Sequence, residues 1–116
     1  MTITRPAQTA LEKMIETLDK APSGRVTGNI SDLNGILSDK GNSTDKRVQV
    51  AKLNMPGGPR YLVSRSVLID NRDDENWQSR HFIIQVVYKD STFSFFPLSN
   101  EEYEDLDPRT LMPMGR

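Results

Sequence analysis

Cysteine is absent from the 116 residues, and histidine and tryptophan occur once each, as His81 and Trp77. Without thiols there is no disulfide framework, thiolate zinc site, iron–sulfur cluster or cysteine nucleophile, so the core has to carry stability unaided. Long apolar runs are missing as well. No stretch approaches the ~18 apolar residues that span a bilayer, and residues 1–6 lack the apolar segment of a secretory signal, so a cytoplasmic location without membrane association is expected. Excess charge is also lacking: the net charge of −1 gives no whole-molecule bias toward nucleic acid or anionic lipid. Its distribution is uneven, however, at −1 for residues 1–45, +3 for 46–98 and −3 for 99–116.

What is present fits one small domain. The length suits a single core and is too short for two. In residues 7–18, Ala7, Leu11, Met14, Ile15 and Leu18 recur at helical spacing, with Pro6 tolerated in the first turn and Pro22 ending the pattern. Ser31 can cap a short second helix through Leu33, Ile36 and Leu37, against a cost of about 1 kcal/mol for Gly35 in its middle. Residues 38–45 hold no apolar side chain and are expected to form a mobile loop.

From Arg47 the period changes from helical to alternating, and β-branched and aromatic residues dominate. Strands are expected at 47–54, 60–70, 81–88 and 92–96. The first two are joined by a Pro-Gly-Gly-Pro turn at 56–59, and the second and third by an exposed polar loop at 71–79 that contains Trp77. Arg65 interrupts the apolar row of Tyr61, Val63, Val67 and Ile69, and is expected at a sheet rim with its stem buried and its head in water. Phe82, Ile84, Val86, Phe93 and Phe95 should face the helices. Ser99 and Glu102 form a capping box for a short C-terminal helix, and the last eight residues read as a tail. The fold class is therefore α+β: an N-terminal amphipathic helix and a short second helix on a four-stranded antiparallel meander, closed by a short C-terminal helix.

Chemistry is thinly supplied. His81 has possible serine neighbours in Ser64, Ser66 and Ser79, but no spacing selects one as a nucleophile, and a structural strand histidine is the favoured reading. The acidic group Asp70, Asp73, Asp74 and Glu75 departs from a calcium loop at its third, sixth and twelfth positions, which hold Arg72, Glu75 and His81. Gly57-Gly58 precedes a strand where a phosphate loop would precede a helix. No catalytic residue, metal or cofactor is therefore expected.

Two binding readings remain. The favoured one is a non-enzymatic interaction domain (adaptor, inhibitor or assembly factor) that holds a protein partner, or a second copy as a homodimer, through the exposed edge at 47–54 and the loop around Trp77. Its contact residues would be Trp77, Arg72, Arg80, Arg65, Arg60 and Tyr61, since tryptophan, tyrosine and arginine dominate binding hot spots. The alternative is a nucleic-acid-binding module, with Lys46, Arg47, Lys52 and the same arginines meeting phosphates while Tyr61, Trp77 and Tyr88 stack on bases.

Overall fold

Helix α1 (Ala10–Lys20) buries Leu11, Ile15 and Leu18 as one stripe and leaves most of its polar residues to solvent. The computed structural model describes residues 10–37, 46–68 and 77–114, with the backbone alone at 46, 47, 67, 68, 77 and 78. The loop expected at 38–45, the acidic group at 70–75 and Arg72 lie outside the described residues.

After α1 the chain forms strand β1 (Val26–Asn29), a single 3-10 turn, and helix α2 (Leu33–Leu37). There follow β2 (Lys46–Leu53), β3 (Arg60–Leu68), β4 (Trp77–Val87) and β5 (Thr92–Leu98), then α3 (Asn100–Glu104) and a two-stranded ribbon of β6 (Leu106–Asp107) and β7 (Met112–Pro113). The main sheet is wholly antiparallel with the order β1-β5-β4-β3-β2. The α+β class and the antiparallel hairpins match the sequence reading, but the sheet has five strands where four were expected. The fifth, β1, is only four residues long and contains Gly28. A side chain at Gly28 would meet the Phe93 ring at 2.7 Å, so the glycine gives the aromatic its place across the strand pair.

Both faces of this sheet carry a core. On one, Val63, Phe82, Ile84, Val86, Phe93 and Phe95 pack against α1 and α2, with Phe82 and Phe95 rings tilted at 5.0 Å. Each such fully buried side chain contributes about 1.5–3 kcal/mol relative to exposure. On the other, Ile83, Leu98 and Leu111 form a smaller cluster with Leu53, Leu62, Phe96 and Leu106. This second cluster corrects the expected C-terminal tail: residues through Met114 are folded, because Leu111 is buried and Met114 donates its amide to the Asp105 carbonyl. The capping box is present, with Ser99 Oγ accepting from the Glu102 amide and the Glu102 carboxylate accepting from the Ser99 amide.

The 71–79 loop is also shorter than expected. Strand β4 begins at Trp77, which pairs with Leu68, and Ser66 and Ser79 join their hydroxyls at 3.0 Å across the ladder. Polar alternation therefore continues a strand here beyond the part covered by helix. None of the described helices is long and apolar enough to cross a membrane.

Candidate functional site

Strand β2 lies outermost in the sheet and pairs with β3 alone among the described residues. In an antiparallel ladder, every second residue of such a strand directs its amide and carbonyl away from the sheet. The opposite edge, β1, is half as long and runs straight into a helical turn whose Ile30 amide donates to the Ser91 carbonyl. Among the described residues only β2 thus offers an extended edge. Along it Gln49, Val50, Ala51 and Lys52 are exposed, Val50 by 40%.

The turn after β2 holds this edge in place. Gly57 and Pro59 accept hydrogen bonds from the Tyr88 and Val86 amides, so the β2–β3 connection is fastened to the end of β4. Gly58 makes the approach possible: its φ is +144°, and a Cβ there would lie 2.2 Å from the Val86 carbonyl oxygen. Between Lys46 and Leu68 the sequence holds five basic residues and no acidic one, which makes the hairpin the basic part of the molecule.

The expected contact residues do not share one surface. Register places Arg65 directly opposite Arg80, and both meet α1: Arg65 approaches Glu12 at 4.0 Å, while Arg80 grips Asp19 through two hydrogen bonds of 2.8 and 3.2 Å. Glu12 and Asp19 stand two helical turns apart on α1, so each arginine of a repelling cross-strand pair is matched by one acid. The Arg65 side chain is only 14% exposed, and its head meets a carboxylate under the helix rather than water at a rim. Hydrogen bonding and charge from Arg80 hold the Asp19 carboxyl below its ordinary range. Tyr61 is half-buried against the helix-side core, with the Lys52 ammonium 5.9 Å above its ring. Arg60 lies among the residues of the opposite face, donating to Gln85 and to the Thr110 carbonyl. Trp77 enters the sheet through its backbone, and Arg72 is outside the described residues.

Sequence spacing does not reveal a third group. His81 Nδ1 is 2.9 Å from Ser64 Oγ, and the imidazole stacks on Tyr103 at 3.5 Å with 4° between planes. Burial lowers the histidine pKa from its ordinary 6.5, so the ring is neutral near pH 7. Among the described residues no carboxylate hydrogen bonds the ring, and no group of three metal-ligating side chains occurs. The pair fastens α3 to the sheet. A hollow of about 620 Å³ between α1, β1 and α2 is mainly apolar, with Lys13, Thr17, Thr27, Ser31 and Asp32 in its wall.

Comparison with family models, curated proteins and solved structures finds no match for this chain. The fold defines an α+β domain with a five-stranded antiparallel sheet.

Proposed function

We propose that this protein is a non-enzymatic interaction domain that takes an extended, acidic segment of a partner protein as an added strand along β2. The observation that carries the reading is the long basic edge: eight residues unpaired on their outer side among the described residues, within a hairpin devoid of acids. Main-chain pairing supplies affinity in such complexes and charge supplies selectivity. The charge pattern also opposes self-pairing, since full antiparallel pairing with a second β2 sets the positions of Arg47 and Lys52, both basic, opposite each other twice. The nucleic-acid reading is weakened because Arg65 and Arg80 already serve Glu12 and Asp19.

The test is titration with a synthetic peptide of alternating glutamate and valine, followed by amide hydrogen exchange. Expected is slowed exchange at alternate residues of 46–53, and at least fivefold weaker binding by Lys52→Glu. Equal binding by Lys52→Glu, or exchange unchanged along β2, overturns the proposal. Stronger binding to single-stranded DNA than to the peptide, falling steeply between 50 and 200 mM salt, would favour the nucleic-acid reading.

A further inference from the structure

On the sheet face opposite α1, strand order brings Arg60 of β3, Gln85 of β4 and Ser94 of β5 into one row, with Phe96 two residues on in β5 and Arg25, which immediately precedes β1, over its ring. Together with Met112 of the ribbon they line a hollow of about 190 Å³. No acidic residue lines it. Arg60 is half-buried and held by Gln85 and the Thr110 carbonyl, which occupy two of the five N–H groups of its guanidinium. Arg25 is positioned differently, its guanidinium carbon 4.9 Å from the centre of the Phe96 ring. Among the described residues neither arginine forms an ion pair. Two cations facing one hollow without a counter-charge repel each other, and an anion placed between them removes that cost.

We infer that this hollow binds a phosphate group, free or carried on a small molecule, between the guanidinium groups of Arg25 and Arg60. Two guanidiniums match the charge of about −1.5 to −2 on a phosphate monoester, and their forked donors suit its oxygens. The Ser94 hydroxyl supplies a further donor. Size narrows the choice: the volume equals that of about six liquid waters, enough for a phosphate head and too little for a nucleotide. A carrier has room beside it, because Arg25 and Phe96 also line a neighbouring polar hollow of about 540 Å³ with Ser23, Gly24, Thr27 and Pro97. The inference does not rest on the β2 edge, since Arg25 and Phe96 are remote from it in strand order.

The experiment is titration of the isotopically labelled full chain with inorganic phosphate and, separately, with phosphoserine, at constant ionic strength set by chloride. Arginine Nε–Hε resonances give the readout. Expected is a saturable shift at Arg25 and Arg60, at least tenfold weaker binding in Arg25→Gln, and wild-type affinity in Arg109→Gln, whose exposed arginine lies outside the hollow. Tighter binding of phosphoserine supports a carried phosphate, and equal affinity supports the free ion. A linear, unsaturable response, or equal affinity in Arg25→Gln and wild type, overturns the inference.

Discussion

Gly58 and His81 show how single residues hold this molecule together from opposite directions, one by having no side chain and the other by losing its charge. Replacing Gly58 with alanine puts a methyl group on the Val86 carbonyl and leaves a strained φ, so about 2–4 kcal/mol of stability should be lost, read as a lower urea midpoint at unchanged slope. His81 has a folded-state pKa below its ordinary 6.5, so the protonated ring prefers the unfolded chain. Its contribution is therefore complete above about pH 6.5 and is lost as pH falls toward and through the lower folded value. Urea unfolding of the wild type at pH 7.5 and 5.5 should show that loss, and His81→Gln should flatten the difference. Asp19 acts in the same direction at lower pH: its depressed pKa means a contribution present above 3.8 and lost as the carboxylate protonates.

Among the elements, those with long, clean periodicity were legible in the sequence and those fixed by partners were not. Helix α1, the β2–β3 and β4–β5 hairpins and the capping box of α3 follow from spacing and turn residues alone. Strand β1 has four residues, one of them glycine, and is held by its register with β5, a long-range fact that no local pattern contains. The same holds for the C-terminal ribbon, whose strands are two residues each and whose anchor, Leu111, turns inward at a φ of +53°. Leu111→Ala should therefore destabilise the whole domain by about 2–4 kcal/mol in thermal or denaturant unfolding, a loss that a tail residue would not show. Arg65 and Arg80 were visible as basic residues, but their partners on α1 lie 53 and 61 positions away, so an arginine that clamps a helix looks the same in sequence as one that meets a ligand. Arg25 and Arg60 escaped notice as a pair for the same reason: only the order β1-β5-β4-β3 brings them to one hollow.

At the scale of the whole molecule, the exposed edge of β2 carries Lys52 beside Val50. Lysines on an edge strand discourage pairing with further copies. Lys52→Val removes one of these from an edge where Val50 is already exposed, and concentration-dependent association should appear in light scattering of the variant but not of the wild type.

The apolar clusters on both sides of β4 carry a different consequence. A strand with one dry side is kept from sliding because a shift of one position would turn its oily residues toward water. In β4 the two sides are unequal: Phe82, Ile84 and Val86 line the helix side, whereas Ile83 stands between the half-buried His81 and Gln85 on the other, so the same shift would press an imidazole and an amide into the drier compartment. Point fixtures hold the same alignment: the bonds that Pro59 and Gly57 accept, and the contact between Arg60 and Gln85. With those fixtures loosened, the uneven dryness of its two sides would still tell this strand which way to lie.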